Sequence, residues 1–263
     1  MGSTALVTGA SSGIGREFSK QLAAGGIVPV LASRNSEKLE SLRAEIESGY
    51  GVSPEVISVD LSAAGSAGLL FDECQQRALD IDILINNAGA GMFGISTDLE
   101  PEQMERMLTL NIISLTTLSV RFAAKMMAKG KGHILNVGSL AGNQPTPYFA
   151  SYAAGKGYVH DFSMALRREL KPSGVTVTCL VPGYVDTSFD ANAGIKNPRY
   201  LSFSRQGSLP PSRVAEIGLR AMFKRKAKVT AGIANKALVL AAGVVPSRTK
   251  AAIIHAGIGR IIR

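Results

Sequence analysis

The chain has 263 residues, 46% hydrophobic and 19% charged, with no tryptophan and two cysteines, a balance that excludes collagen-like, low-complexity and disulfide-stapled chains. At this length roughly 70–75% of the unfolded surface can be buried, so stability needs neither disulfide nor structural metal, and one domain, two at most, is expected. The net charge of +9 is lopsided: residues 1–190 hold 15 Lys/Arg against 19 Asp/Glu, whereas residues 191–263 hold 14 Lys/Arg against Glu216 alone.

In chain order, short apolar runs alternate with longer stretches of helical period. Ala5–Thr8, Ile27–Ala32, Glu55–Val59, Ile81–Asn86, His133–Val137 and Val175–Val181 are the predicted strands. The first has no polar alternation, as expected of a strand covered on both faces, and the strand–helix alternation predicts a single doubly wound α/β domain on a parallel, Rossmann-like sheet. The first ten residues lack the charged and apolar regions of a signal peptide, and Thr4 to Thr8 already reads as a strand, which predicts a cytoplasmic protein. The longest strongly apolar run, Ala237–Val245, is too short to span a bilayer, for which about 20 residues are needed. Cys74 and Cys179 read as buried thiols, and His133, His160 and His255 have no partners at metal-ligand spacing, so no metal is expected.

The chemistry-bearing residues follow the strands. After the first come Gly9, Ala10, Ser11, Ser12, Gly13, Ile14 and Gly15 at the start of a helix, where glycines admit a tight turn and backbone N–H groups can meet a pyrophosphate; a plain strand-to-helix turn is the alternative. The second strand ends Ser33-Arg34. A carboxylate there would select NAD, whereas a hydroxyl and a guanidinium suit the 2′-phosphate of NADP. Asp60, followed by Leu61, closes the third strand and can reach an adenine amino group or simply cap a helix. Asn86-Asn87-Ala88-Gly89 closes the fourth, with small residues and amides suited to a ribose. Ser139 follows the fifth strand, and Tyr152 and Lys156 share one face of the next helix, where a phenol and an ammonium can transfer protons. Pro182-Gly183, Val185 and Thr187 follow the sixth. From about Tyr184 to Pro211 no clean element is seen, and a loop of that length is expected to be a substrate lid. It carries Phe189, Ile195, Tyr200, Leu201, Phe203 and Leu209 beside Lys196, Arg199 and Arg205; Met92, Phe93, Tyr148 and Phe149 join from other loops in a largely apolar pocket.

This order resembles the short-chain dehydrogenase/reductase family over roughly Thr4 to Thr187. The resemblance implies an NADP(H)-dependent reductase of a small-molecule carbonyl compound, with Tyr152 as acid/base, Lys156 lowering its pKa and holding the nicotinamide ribose, Ser139 on the carbonyl oxygen and Asn111 holding a relay water. It also implies that Gly9, Ser11, Ser12, Gly13, Ile14, Gly15, Ser33, Arg34, Asp60, Leu61, Asn87, Ala88, Gly89, Tyr152, Lys156, Pro182, Gly183, Val185 and Thr187 hold the dinucleotide. Gly138 stands where many relatives carry a second serine. Relatives commonly pair through the helices that hold Asn111 and Tyr152, and Ile112, Leu115, Leu118, Val120 and Phe122 are the expected apolar surface of a homo-oligomer. The extended ending resembles acyl-chain or steroid-type reductases. From the apolar pocket and the basic residues of the lid, a 3-oxoacyl thioester or other lipid-like ketone is the first expected substrate, with steroid, sugar and xenobiotic carbonyls next. The competing reading is an NADPH-binding interaction protein that docks on membranes.

The basic C-terminal quarter, residues 191–263, which ends in an extension from about 233 to 263, calls for an acidic partner: an anionic lipid surface, a phosphate-bearing substrate or an acidic carrier, with nucleic acid not expected. A solvated basic face with no partner is the alternative. Ala251, Ile254, Ile258 and Ile261 recur at helical spacing, with Arg248, Lys250, Arg260 and Arg263 among them. This is a short basic amphipathic pattern, suited to the surface of an anionic membrane or to a partner subunit rather than to the active site.

Overall fold

The computed structural model describes residues 2–205 and 207–262; of these, the side chains of Phe203, Ser204, Ala242, Ile261 and Ile262 lie outside the description, as do Met1, Gln206 and Arg263. The lid residue Phe203 and the tail residues Ile261 and Arg263 therefore fall outside it. In chain order the elements are β1 (Thr4–Thr8), α1 (Gly13–Ala24), β2 (Val28–Ser33), α2 (Ser36–Tyr50), β3 (Glu55–Ser58), α3 (Ser66–Gln76), β4 (Ile81–Asn86), α4 (Pro101–Leu108), α5 (Leu115–Lys129), β5 (Gly132–Val137), α6 (Ala150–Glu169), β6 (Val175–Val181), α7 (Phe189–Asn192), α8 (Pro198–Arg205), α9 (Pro211–Phe223), β7 (Lys228–Thr230), α10 (Ile233–Gly243) and α11 (Ser247–Ile262).

The seven strands form one parallel sheet in the order β3-β2-β1-β4-β5-β6-β7. Strands β1, β4 and β6 are apolar almost throughout because helices cover both faces. On one face Phe18 and Leu22 of α1, Leu39, Leu42 and Ile46 of α2, and Val214 and Met222 of α9 close the core. On the other, Leu70 and Cys74 of α3, Leu118, Phe122 and Met126 of α5, and Leu166 of α6 do so. Chain order reverses between β1 and β4, which opens a crevice at the carboxyl ends of the strands, the place where such sheets bind ligands. Cys74 and Cys179 are both free and buried.

Helices α4 and α5 run on through a π-helical segment, Thr109–Ser114, as one helix from Pro101 to Lys129 that is long and apolar enough, by length and composition alone, to cross a membrane. Less than half of its most apolar stretch, 44%, is buried in the protein. Leu115, Leu118 and Phe122, expected on an exposed subunit surface, are no more than 3% exposed in the core, and Ile112 is half-buried. Val120 is exposed as expected, and the rest of the exposed apolar surface here comes from Ile113 and Met127, with Tyr158 of α6. An amphipathic period cannot tell inner from outer on a helix apolar on both sides.

Candidate active site

The strand ends surround a cleft of about 630 Å³. Its floor is backbone. Gly9 has φ +66°, and a Cβ there would come within 2.9 Å of the Ala88 Cα; a Cβ on Gly15 would meet the Gly9 carbonyl at 2.2 Å, so Gly15 lets α1 pack under the turn rather than lining the cleft. Thr8 Oγ1 accepts the N–H groups of Asn87 and Ala88, each at 3.0 Å, and the Asn87 side chain donates to the carbonyls of Thr8 (2.9 Å) and Gly9 (3.3 Å). Ser12 begins α1 without a side-chain capping bond, and no acidic residue stands in the first turn. Such a helix end favours an anion. A dinucleotide pyrophosphate fits this cradle on the glycine contacts and the uncapped helix end together.

Ser11, Ser12, Gly13, Ile14, Ser33, Arg34, Asp60, Leu61, Asn87, Ala88, Gly89, Pro182, Gly183, Val185 and Thr187 all line the cleft with Gly9. The Ser11 and Ser33 hydroxyls are hydrogen-bonded at 2.8 Å beside the exposed Arg34. Asp60 accepts from the Ser62 N–H (3.0 Å) and hydroxyl (2.7 Å) and pairs with Arg106 at 2.6 Å. Partial burial works against its charge, but the Ser62 bonds and the Arg34 and Arg106 charges outweigh this and hold the carboxyl below its usual range. Asp60 thus shapes a turn and fixes Arg106, a cleft-lining residue that no spacing pointed to.

Deeper in, Ser139 follows β5 in extended backbone and accepts the Ala141 N–H at 3.2 Å. Tyr152 and Lys156 project from α6 into the same end of the cleft. Burial pushes the Tyr152 phenol up to about 12, with the Ser139 hydroxyl pulling the other way. Burial brings Lys156 down to about 8. Its Nζ donates to the Val137 carbonyl at 2.8 Å and lies 5.9 Å from the Tyr152 ring centroid. Burial is the larger influence on the phenol in this geometry. Asn111 is 1% exposed and lies behind the cleft wall. Its amide accepts from Ala90 N–H (3.1 Å) and donates to Ala90 C=O (2.8 Å). The side chain expected to hold a water is thus engaged in fixing the loop after β4.

His160, for which packing or a surface place was expected, sits one turn beyond Lys156 on the same helix face. The Ser139 N–H donates to its Nε2 at 3.4 Å, and Lys228 Nζ is 3.4 Å from its Nδ1. Burial, then the charges of Lys228 and Lys156, bring its pKa down to about 4, which leaves a neutral ring able to accept that bond. A Cβ on Gly138 would meet His160 Nε2 at 2.6 Å. The spacing 152, 156, 160 was a sequence signal that could have found it.

The outer end of the cleft is aromatic. Phe149, Ala193 and Ile195 are buried together, with Phe93, Tyr152, Phe189, Tyr200 and Leu201 packed against them. Leu209 instead packs on the main core, and Val185 bridges to it. Tyr184 hydrogen-bonds Asp190, and Arg205 faces Asp186 at 3.8 Å.

The model of short chain dehydrogenases matches residues 3–197. The chain belongs to the short-chain dehydrogenase family. It is 36% identical to the very-long-chain 3-oxoacyl-CoA reductase of Anas platyrhynchos over 194 residues, 71% of this chain, and 37% identical to that of Debaryomyces hansenii over 211 residues, 75% of this chain. The chain spans 61% of the length of these two curated relatives. Among solved structures, a short-chain dehydrogenase from Sphingobium yanoikuyae in complex with NADPH superposes with a TM-score of 0.82 at 29% identity, covering 92% of this chain and 93% of its own. A 7beta-hydroxysteroid dehydrogenase gives 0.84 at 26% identity, covering 95% of each chain. The sheet order and the doubly wound topology are those of the family.

Proposed function

We propose that this short-chain dehydrogenase is an NADPH-dependent reductase of an apolar ketone, with a 3-oxoacyl thioester as the leading substrate class. The observation that carries the reading is the meeting of Ser139, Tyr152 and Lys156 where a backbone-built anion cradle joins an aromatic pocket. The bound dinucleotide supplies a hydride. Tyr152 donates its proton to the carbonyl oxygen, and a phenol held protonated by burial suits an acid. Ser139 donates a hydrogen bond to the same oxygen. Lys156, poised near neutrality, holds the nicotinamide ribose and returns a proton towards Tyr152, while Asn111 keeps the loop after β4 in place behind them. Gly9, Ser11, Ser12, Gly13, Ile14 and Gly15 form the pyrophosphate turn, and Asn87, Ala88, Gly89, Pro182, Gly183, Val185 and Thr187 hold the nicotinamide half. Asp60 and Leu61 flank the adenine, and Ser33 and Arg34 meet the 2′-phosphate.

The whole chain forms one catalytic domain with its lid at about 184–211 and a basic extension from about 233. It works as a homo-oligomer through the outer faces of α4, α5 and α6, on the cytoplasmic side and peripheral to an anionic membrane. An NADPH-oxidation screen over ketones, aldehydes and acyl thioesters tests the reading, with turnover expected on lipid-like ketones. NADPH binding without turnover on any of them would favour a dinucleotide-binding interaction protein instead, against which the proton-transfer set argues, since such a protein has no use for it.

A further inference from the structure

Beyond β7 the chain enters α10, whose eleven residues carry a single charge, Lys236. Asn235 packs on the protein and Val239 is half-buried, but most of its large apolar side chains stand clear of it. Ile233 is 85% exposed, Leu238 55%, Leu240 76%, and Val244, just beyond the helix, 87%. At 100° per residue, Leu238 and Leu240 point about 200° apart, so apolar surface faces outwards on more than one side. With Asn235 and Val239 turned to the protein, the remaining outward surface is apolar apart from Lys236, and an apolar helix face flanked by basic residues suits the headgroup–acyl boundary of a bilayer. At 1.5 Å per residue α10 is about 16 Å long, about half a bilayer core of about 30 Å, so it can lie in the interface but not cross. The charge around it has one sign: residues 217–263 hold ten Lys/Arg and no Asp or Glu, and Lys224, Arg225, Lys226, Lys236, Arg248 and Arg260 are all exposed.

Helix α10 is also placed beside the cleft. In its first turn Asn235 packs on Gly183, where a Cβ would come within 2.4 Å of the Asn235 Nδ2, and donates to the Ala231 carbonyl at 2.7 Å. The chain then turns back, and α11 packs on the lid helix α8, with His255 stacked on Tyr148 at 5.3 Å and 6°. Ile254 and Ile258 of α11 are half-buried. Of the tail isoleucines expected on a membrane or a partner subunit, Ile254 and Ile258 thus lie partly covered beside the cleft mouth, and the exposed apolar surface here comes mainly from α10, with Ile253 of α11 at 63%.

We propose that α10 is an interfacial anchor: it beds into the surface of an anionic bilayer, the basic residues around it meet the lipid phosphates, and the cleft mouth is held where an apolar substrate can enter from the lipid. The anchor stands on its own; the entry route rests on the reductase reading. The test uses the full chain with phosphatidylcholine vesicles, with and without phosphatidylglycerol. Co-sedimentation is expected only with phosphatidylglycerol and should weaken with salt. The chain has no tryptophan, so Leu240→Trp supplies a single indole reporter whose emission should shift to the blue on those vesicles alone. In the double variant Leu240→Glu/Val244→Glu binding should fall about tenfold or more, while turnover of a short, water-soluble ketone stays at the parent rate and that of a membrane-partitioned ketone drops.

Failure of the parent to bind at low salt, or equal binding by the double variant, overturns the anchor. So does lipid-independent assembly that the double variant disperses, which would make α10 a contact between copies. Vesicle binding is read without turnover, so a chain that binds phosphatidylglycerol but reduces no carbonyl compound would leave the anchor standing and strike only the reading of the cleft.

Discussion

The two ends of the cleft are built from different materials. At the cradle, backbone groups do the positioning: Thr8 and Asn87 tie the turn after β1 to the end of β4 through bonds of 2.9–3.3 Å. At the aromatic end, rings pack on rings, with Phe93 from the loop after β4 centred 5.0 Å from Phe149 at the start of α6 and 5.1 Å from Tyr200 of the short helix α8. A phosphate needs donors at fixed points, and rigid strand ends supply them. An apolar substrate needs area without direction, which aromatic side chains can supply.

The sharpest way to break this comparison is at the junction of the two ends. Tyr152→Phe should lower turnover roughly 10²–10⁴-fold while a dinucleotide titration shows almost unchanged affinity; retained turnover would remove the assignment. Lys156→Ala should lower both. At the sheet end, Phe18 is fully buried, and Phe18→Ala should cost about 3–5 kcal/mol in denaturant unfolding. Tyr200→Ala at the lid should instead act mainly on the KM of an apolar substrate, and a stability loss matching that of Phe18→Ala would make the lid part of the core.

His160 links the comparison to pH. Its folded value of about 4 lies below the ordinary 6.5, so the unfolded chain takes up the proton first. Stability is therefore lost as pH falls from about 6.5 towards 4, by about 3 kcal/mol from this group. His160→Gln should flatten that stretch of the stability–pH curve, and an unchanged slope would show that other groups set it. The smallest effect is expected at the rim, where Arg34→Ala should narrow the preference for NADPH over NADH about tenfold; equal affinity of the parent for both nucleotides would refute the 2′-phosphate contact.

Much of this could be read from the residues because the sheet is covered on both sides. Runs such as Ile81–Asn86 and Val175–Val181 have the length and β-rich character of buried strands, and both match their observed bounds. What chemistry follows each strand was legible for the same reason, since parallel strands all deliver their carboxyl ends to one edge. The short helices after β6 were not legible: Phe189–Asn192 and Pro198–Arg205 have four and eight residues, too few for a helical period to show. Nor does sequence reveal how a polar side chain is used. Asn111 and Asp60 are spent on Ala90 and on Ser62 with Arg106, and these are long-range or turn contacts that no local pattern encodes.

The fit of His160 against Gly138 constrains how the site can change over generations. Any side chain at position 138 would collide with the imidazole, so a serine there becomes tolerable only after residue 160 has shrunk or turned away. The reverse order is open, since loss of the imidazole leaves a gap rather than a clash, at the cost of an acceptor for the Ser139 N–H. Exchange between a serine at 138 and the histidine at 160 is therefore a two-step path with a preferred order, and a library randomising both positions should recover serine at 138 chiefly with small residues at 160.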